Sequence, residues 1–420
     1  MSIFALADAN NFYVSCERVF NPSLNSRPVV VLSNNDGCIV SRSQEAKAIG
    51  IKMGEPYHRA KPLCDAHQVT ILSSNYALYG DMSQRVMTCL SKFTSDVEIY
   101  SIDEAFFKLE CPHGQDLSAA AQHIRDSIGR WTGIPISIGI GPTKTLAKLS
   151  SAIAKQPTYK GIFNLCDQTV QADILPTIPI ESVWGIGSRW AARLHLLGIE
   201  TAADLRAANI SLIRQAFNVV LERTVHELRG SPCLDIETVQ PPRKTIIYSR
   251  SFGRLVTQKA ELLEAVSSYG ARAAQKLRQQ NSRAGGLQVF LKTNRFRSDL
   301  VQYRGTQVCS FTSATSDTRQ IVRAARHMIE AIYQSGLQYH KCGVMLLDIS
   351  SEAIYQPLLF QPDHHEENKA LMAVVDQLNH QFGKRTLFFA SEGMKQSWKL
   401  RCAMRSPRYT TAWNELPTVR

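Results

Sequence analysis

Residues 97–107, VEIYSIDEAFF, constrain the fold more than any other stretch of the chain. Two apolar runs flank the adjacent acids Asp103 and Glu104, so the pattern predicts a buried β-hairpin whose turn carries both carboxylates. A third acid, Asp8, follows another apolar strand at residues 3–7. Burying carboxylates at the ends of neighbouring strands is costly unless positive charge is nearby. Mg²⁺ is a candidate for that charge, because proteins bind it through a few carboxylates together with substrate phosphates. The alternative is that each acid merely ends a strand, because turns favour acidic residues.

The bulk composition indicates a multidomain globular chain. Its 420 residues are 44% hydrophobic, which allows several domains with buried cores. We expect neither a membrane span nor a signal peptide, because no apolar run approaches the length of about 18 residues that a membrane helix needs. Ten scattered cysteines without a CxxC pair are typical of free thiols in a reducing cytosol.

The net charge of +12 is concentrated in one segment. Residues 1–110 hold 10 Lys/Arg against 12 Asp/Glu, whereas residues 241–350 hold 17 Lys/Arg against 6 Asp/Glu, a net charge of +11. This asymmetry predicts a surface for a polyanion in the second segment, with a solvated basic face as the alternative. Charge alone does not separate DNA from RNA or acidic lipid.

The element patterns divide the chain further. Strands alternate with helices over residues 1–165, which predicts a ferredoxin-like sheet with helices on one face. Residues 176–233 indicate a small helical unit, in which Gly185 and Gly187 stand between two short helices, as in helix-hairpin-helix motifs that bind a DNA backbone. Beyond the linker at 241–244, a βαββαβ pattern predicts a second ferredoxin-like unit, the basic one.

Two further patterns lie near the C-terminus. Arg319, Arg323 and Arg326 fall on one face of a predicted helix, where they could follow a phosphate backbone. The stretch 355–361, YQPLLFQ, is typical either of a short peptide that docks into a hydrophobic pocket or of a loop with incidental apolar residues. Residues 366–382 then predict an amphipathic helix.

Several motifs together resemble the Y-family DNA polymerases, and within that family the UmuC-type catalytic subunits of bacterial DNA polymerase V. They are, in chain order, DANNFYVSCE, SIDEAF, SIGIGPTKTLAKLSSAIAK, VWGIGSRWAARLHLLGI and SPRYTTAW. The resemblance implies an α+β multidomain, right-hand polymerase that copies damaged DNA with low fidelity in the SOS response. Its implied domains are a ferredoxin-like palm (1–13 and 81–170), small fingers (14–80), a helix-hairpin-helix thumb (171–235), a ferredoxin-like little finger (243–352) and a C-terminal tail domain (353–420).

The resemblance also implies a reaction and its residues: transfer of dNTPs to a primer 3′-OH by a mechanism with two Mg²⁺ ions. The implied catalytic acids and metal ligands are Asp8, Asp103 and Glu104, with the carbonyl of Ala9 as a further ligand. Tyr13 matches the steric gate, whose ring excludes a 2′-hydroxyl. The residues that match dNTP contacts are Phe12, Tyr13, Ser41, Lys47 and Lys155. Lys47 stands where many relatives have Arg, and it lacks the bidentate fork of Arg.

The implied partners are primer-template DNA, dNTPs, a processed UmuD-type dimer, RecA bound to ATP, and the sliding clamp, with no membrane. The implied DNA contacts are Gly185, Gly187, Arg250, Arg254, Arg295, Arg297, Arg319 and Arg323. Gln356, Leu359 and Phe360 resemble the clamp-binding peptide of bacterial polymerases. The implied location is the cytoplasm, at the nucleoid.

Two alternatives to a polymerase make different predictions about the sequence. A non-catalytic DNA-binding scaffold of the same fold predicts the loss of at least one metal-binding acid, and all three are present. Another palm-domain enzyme, such as a nucleotide cyclase, would need neither the helix-hairpin-helix nor the basic segment. Fingers of this length are too short for a large closing lid, which favours low fidelity.

Overall fold

The computed structural model describes residues 3–110, 116–239, 241–354 and 365–416. The chain forms two compact units: residues 1–240 together with 403–420 form the first, and residues 241–402 form the second. Within the described ranges, no helix combines the length and apolar character that crossing a membrane requires. The cysteines of these ranges are not joined in disulfides.

Two sheets and a group of helices make up the first unit. Its strands are β1 (Phe4–Ala9), β2 (Val29–Leu32), β3 (Ile39–Arg42), β4 (Thr70–Ser73), β5 (Val97–Ile99), β6 (Glu104–Lys108), β7 (Ile136–Gly141) and β8 (Ile162–Asn164). Its helices are α1 (Phe12–Phe20), α2 (Gln44–Ala48), α3 (Tyr57–Ala66), α4 (Tyr76–Leu90), α5 (Leu117–Thr132), α6 (Lys144–Ala154), α7 (Gln168–Ile174), α8 (Ser188–His195), α9 (Ala202–Ala207), α10 (Ile210–Ala216) and α11 (Val219–Leu228).

The larger sheet has the strand order β5-β6-β1-β7-β8. Strand β1 is buried along its whole length and pairs antiparallel with both β6 and β7, so its C-terminal end lies in the middle of the sheet edge. Helix α6 packs so closely on β7 that a Cβ added at Gly139 would lie 1.9 Å from the backbone nitrogen of Ser151. This close approach sets the distance between the side chains of α6 and the sheet.

The smaller sheet has the order β3-β2-β4, with β2 antiparallel to β3 and parallel to β4. Strand β2 is wholly buried because it lies between two cores: Val30 and Leu32 pack with α2 and α3 into a small core, and Val29 and Val31 belong to the larger one. Strand β4 is an edge strand, and Ser73 at its end forms a parallel bridge with Arg405 of the C-terminal segment.

Helices α7 to α11 form the helical part of the first unit. A turn precedes α8, in which Gly185 adopts a φ of 86° and Gly187 is the residue before the first helical turn. Only glycine adopts such a positive φ without strain, which explains why the turn requires it. The turn and α8 have the geometry expected of the predicted hairpin between short helices.

The second unit follows the predicted βαββαβ order. Its elements are β9 (Ile246–Val256), α12 (Lys259–Gln279), β10 (Ser282–Thr293), β11 (Arg304–Thr315), α13 (Thr318–Ile332), β12 (Tyr339–Ser351) and α14 (His365–Gln381). The sheet is antiparallel, in the order β11-β10-β12-β9. Helices α12 and α13 cover one face of it and bury the hydrophobic core, which leaves the other face open.

The polypeptide after β12 contributes to both units. Asp376 on α14 forms an ion pair with Arg278 at 2.7 Å, and the indole of Trp398 is buried against Phe252 and Tyr269. Residues 403–416 belong instead to the first unit. The predicted clamp-binding residues Gln356, Leu359 and Phe360 lie outside the described residues.

Candidate active site and nucleic-acid interface

Three acids lie together at one end of the β1–β6 pair. Asp8 is the register partner of Glu104, and the N–H of Ala9 donates to the carbonyl oxygen of Asp103 at 2.8 Å. Ser101 holds the turn between β5 and β6, because its hydroxyl donates to the Asp103 carboxylate at 2.6 Å and accepts from the N–H of Glu104 at 3.1 Å. The predicted hairpin is therefore present, with both acids where it turns.

Two lysines at the same end of the sheet neutralise two of these acids. Lys155 Nζ donates to Asp8 Oδ2 at 2.5 Å, and Lys148 Nζ lies 2.9 and 2.8 Å from the two oxygens of Glu104. Asp8 is only 6% exposed, and burial raises its pKa to about 7, with nearby Glu104 adding to the rise and Lys155 opposing it. The site therefore stabilises a carboxylate only when a cation is close.

The donor set fits Mg²⁺. Carboxylate oxygens and a backbone carbonyl, here that of Ala9 at the end of β1, are the hard ligands that Mg²⁺ prefers. In the described part of the chain, no three His, Cys, Asp or Glu side chains converge on one point in this conformation. Asp103 faces Ser101, whereas Asp8 and Glu104 face their lysines, so binding a divalent ion requires these ammonium groups to give way.

The N-terminus of α1 lies beside the acids. Asn11 has a left-handed backbone, with a φ of 47°, and this conformation turns the chain from β1 into the helix. The Ser41 hydroxyl on β3 donates to the Asn11 carbonyl and accepts from the N–H of Val14, each at 3.4 Å. Ser41 therefore lies at the positive end of a helix, where anions are favoured.

The ring of Tyr13 lies on the first turn of α1 against other aromatic rings. It stacks on Tyr79 with 4.4 Å between centroids and 13° between planes, and it meets Tyr76 edge-on at 6.0 Å. Burial raises the pKa of Tyr13 to about 12, with smaller contributions from Tyr76 and Asp103, which places this ring close to the acids. Phe12, in contrast, is 4% exposed and packs in the core beneath the site.

Several cationic side chains lie near the acids. Burial lowers the pKa of Lys47, and so do Arg42 and Lys155, whereas Asp8 raises it. The structure therefore brings Ser41, Lys47 and Lys155 to the same region as Tyr13. A lysine whose charged form is disfavoured by burial and by nearby cations, as that of Lys47 is, is stabilised when a polyanion binds.

The thumb turn is open to a ligand. A Cβ added at Gly185 or Gly187 would meet nothing within 4 Å, so the outer surface of this turn is free of packing. The backbone N–H groups before α8 can therefore approach a phosphate closely.

A row of cations on the open sheet face of the second unit was not predicted from the sequence. Lys292 on β10 is the register partner of Arg304 on β11 and also of Lys341 on β12. The pKa of Lys292 is lowered by burial and then by Arg304 and Lys341. Like charges directly opposite each other destabilise a sheet, so this row favours an anionic partner. The alternation of Phe290 and Lys292 along β10 was the available sequence signal.

The predicted arginines of this unit have several different surroundings. Arg250 is the register partner of buried Cys342, which puts it on the helix-covered face, 4.6 Å from the ring of Tyr248. Three others bind acids, in the pairs Arg254–Glu261, Arg297–Asp299 and Arg319–Asp317. Arg295 lies 4.7 Å from the exposed ring of Phe296, and Arg323 lines a cleft with Arg319 and Arg326.

The fold is that of the Y-family DNA polymerases. A Y-family DNA polymerase chimera, Dbh-Dpo4(243-245)-Dbh, superposes with a TM-score of 0.66 and 20% sequence identity, covering 83% of this chain and 99% of the chimera. The impB/mucB/samB family model matches residues 7–152, and the model of that family's C-terminal domain matches residues 243–359. A domain of unknown function, DUF4113, matches residues 369–419.

Curated relatives agree with the family models. Protein UmuC of Salmonella typhimurium is 45% identical, with 100% of both chains covered, and Protein MucB of Escherichia coli is 40% identical, with 99% of both covered. DNA polymerase IV 1 of Bacillus subtilis is 26% identical over 90% of each chain. The chain belongs to the impB/mucB/samB family.

Proposed function

We propose that this chain is an error-prone translesion DNA polymerase of the SOS response, which transfers dNTPs to a primer 3′-OH opposite damaged template bases. Polymerase activity is supported by the Y-family fold and by relatives named UmuC and DNA polymerase IV. The observation that carries the mechanism is the meeting of Asp8, Asp103 and Glu104 at one strand end, beside a helix N-terminus and a group of cations.

Asp8, Asp103, Glu104 and the Ala9 carbonyl would hold two Mg²⁺ ions. When bound, such ions activate the 3′-oxygen and neutralise the charge on the leaving pyrophosphate. Without these ions, Lys148 binds Glu104 and Lys155 binds Asp8, and Lys155 opposes the rise in pKa that burial causes at Asp8. Lys155 binds Asp8 and is close enough to Lys47 to lower its pKa, so the same ammonium group can serve the triphosphate once it leaves the carboxylate.

Selection of the sugar falls to Tyr13. Its ring is stacked on one side by Tyr79 and bounded edge-on by Tyr76, so it has little freedom to move away from a 2′-hydroxyl. Exclusion by a rigid ring discriminates against ribonucleotides without a direct contact to deoxyribose. Ser41 and Lys47, near the N-terminus of α1, would bind the triphosphate.

DNA would be held through its phosphates. The open turn at Gly185 and Gly187 suits one stretch of backbone, and the row formed by Arg304, Lys292 and Lys341 suits another. Exposed Arg295 is close enough to Lys292 to lower its pKa and would add to this row, whereas exposed Arg323 lies on α13, which covers the other face of the sheet, and would bind phosphate there. The small three-stranded sheet with short helices supports low fidelity, because it offers no large lid to test the shape of a base pair.

The proposed partners are a processed UmuD-type dimer, RecA bound to ATP, and the sliding clamp, and the proposed location is the cytoplasm at the nucleoid. Similarity to Protein UmuC supports an association with a UmuD-type protein. The clamp-binding role of Gln356, Leu359 and Phe360 rests on the sequence alone. A non-catalytic scaffold is not favoured, because all three acids are present and two of them, Asp8 and Glu104, form ion pairs with lysines.

Primer extension across one abasic site tests this proposal, with Mg²⁺, dNTPs, a processed UmuD-type dimer and activated RecA. The double variant Asp103→Asn with Glu104→Gln should lose at least about 100-fold in extension rate, because it removes charge that stabilises the transition state. Asp126→Asn, an exposed acid on α5, is the matched control and should extend as the native chain does.

The outcomes separate the two candidate functions. Equal extension by the native chain and the double variant would reject the site assignment. Absence of extension by either, with primer-template binding intact, would favour the scaffold.

A further inference from the structure

A C-terminal strap, residues 403–409, extends the edge of the smaller sheet. The N–H of Met404 donates to Ser73 Oγ at 3.0 Å, and the N–H of Ser73 donates to the Met404 carbonyl at 2.9 Å. The N–H of Ala403 donates to Asp36 Oδ2 at 3.2 Å. The strap therefore satisfies the backbone N–H of Ser73 at the end of an edge strand, much as a peptide does when it adds to a sheet.

The strap is also anchored at the start of α4. The side-chain amide of Asn75 lies 3.0 Å from the Ser406 carbonyl, 2.9 Å from Ser406 Oγ and 3.0 Å from the Pro407 carbonyl. Its Oδ1 accepts from the N–H of Leu78 and so caps the helix. Asn75 is 1% exposed, so these contacts are made out of water and fix the strap against the helix that carries Tyr79.

A buried carboxylate connects the strap to that helix. Glu17 is 2% exposed, and its Oε1 accepts from the Tyr79 hydroxyl at 2.7 Å and from the Ser406 hydroxyl at 2.9 Å. Burial raises the pKa of Glu17, and both hydroxyl bonds oppose the rise. A buried carboxylate is costly unless such donors satisfy it, so Ser406 and Tyr79 depend on each other through Glu17.

The same face of α1 carries the proposed steric gate. Tyr13, Glu17 and Phe20 are spaced i, i+4, i+7, which places them in one line along the helix. Tyr79 stacks on Tyr13 at one end of this line, and Tyr409 of the strap stacks on Phe20 at the other, with 4.9 Å between centroids and 9° between planes. The strap therefore contacts this face directly at Glu17 and Phe20, and it reaches Tyr13 through Tyr79.

We propose that the C-terminal strap is a positioning element for sugar selection, in which Ser406 acts through Glu17 and Tyr79 to hold the ring of Tyr13. This inference rests on the proposed role of Tyr13 as the steric gate. A ring excludes a 2′-hydroxyl only while it cannot move, so releasing Tyr79 lets Tyr13 shift and admits ribonucleotides. Ser406, Glu17 and Tyr79 contact neither the metal-binding acids nor a phosphate-binding residue, so insertion of dNTPs continues.

The test is single-nucleotide insertion by the full chain with its partners, measured as kcat/KM for a dNTP and for the matching rNTP. Ser406→Ala and Tyr79→Phe each remove one hydrogen bond to Glu17, and each should lower the dNTP/rNTP ratio about fivefold through faster rNTP insertion. Glu17→Gln keeps an oxygen that accepts both bonds, so its ratio should stay within about twofold of the native ratio. Thr411→Ala, an exposed residue just beyond the strap, is the control.

A non-additive result is also expected. The double variant Ser406→Ala with Tyr79→Phe should lower the ratio no further than either single change, because both act through Glu17. Tyr13→Ala should lower the ratio more than any of them. Thermal melting of each variant separates loosening of the ring from loss of the fold.

Three results would overturn the inference. An unchanged ratio in Ser406→Ala and Tyr79→Phe, with a lowered ratio in Tyr13→Ala, would leave the steric gate in place and remove the strap from its control. An unchanged ratio in Tyr13→Ala would reject the gate itself, and the strap's role with it, while primer extension still reports on the polymerase. Equal losses of dNTP and rNTP insertion would show a role in stability alone.

Discussion

Replacing Lys292 and Lys341 with Gln should weaken DNA binding and at the same time stabilise the second unit. Both side chains stand on the open sheet face, directly opposite each other across β10 and β12, and Arg304 faces Lys292 from the other side. Folding alone gives no reason to place three cations in a row, because like charges opposite each other cost about 0.2–1 kcal/mol per pair. A phosphate backbone supplies the missing anions.

The size of the effect follows from counterion release. Each phosphate contact contributes about 0.9 to the slope of log affinity against log salt concentration, so the double variant should lose about 1.8 from that slope. When the salt concentration rises from about 50 to about 200 mM, the factor by which DNA affinity drops should therefore be about 12-fold smaller for the double variant than for the native chain. The free energy of unfolding should rise by about 0.5–1 kcal/mol, because the facing charges are gone.

Fluorescence anisotropy of a labelled primer-template duplex, titrated at several salt concentrations, measures the slope, and denaturant unfolding measures stability. Lys384→Gln, an exposed lysine of the same unit, is the matched control and should change neither quantity. A native slope in the double variant would refute the placement of DNA on this face. The same loss of slope in the control would show that only net charge matters.

Four other changes test the packing and electrostatics of the first unit. Ser101→Ala removes the hydroxyl that orients Asp103 and should lower the single-turnover extension rate about 10-fold or more, with the melting temperature little changed. Gly139→Ala should destabilise by about 3 kcal/mol or more in denaturant unfolding, because its Cβ would lie 1.9 Å from the backbone nitrogen of Ser151. Gly80→Ala in the middle of α4 meets nothing within 4 Å and should instead stabilise by about 0.5–1 kcal/mol. For Glu17, burial raises the folded-state pKa, so the carboxyl's contribution to stability is fully present below about pH 4.3 and is lost as pH rises through the folded-state pKa. The Gln side chain of Glu17→Gln does not titrate. As pH rises from about 4 to about 8, the free energy of unfolding of this variant should therefore increase relative to that of the native chain. A difference between the two that stays constant with pH would contradict this reasoning.

Local patterns were enough to predict the framework of the fold. The second unit has the predicted βαββαβ order, because the periodicity of each strand and helix is a local signal. The hairpin around Asp103 and Glu104 was predictable for the same reason, since apolar runs on both sides of two acids leave few other conformations. Once β1 lies next to β6, the position of Asp8 follows.

Contacts between distant parts of the chain left no local pattern. Ser406 and Glu17 are 389 residues apart, and nothing in either neighbourhood indicates that they meet. The cation row depends on the register of three strands, which pairs Lys292 with Lys341 only after the sheet has formed. Ion pairs such as Arg319–Asp317 could have been anticipated, because the acid lies two residues away along the chain.

The division of the chain has a consequence for its integrity. The second unit is an insertion, since the chain leaves the first unit near residue 240 and returns to it at residue 403. A protease cut in the linker at 241–244 would therefore leave two fragments, and the C-terminal fragment would still carry residues 403–416, with their bonds to Ser73, Asn75 and Glu17. The second unit is thus connected to the first in two ways, through the covalent linker and through the docked C-terminal residues. A single break in the chain therefore does not separate the two units.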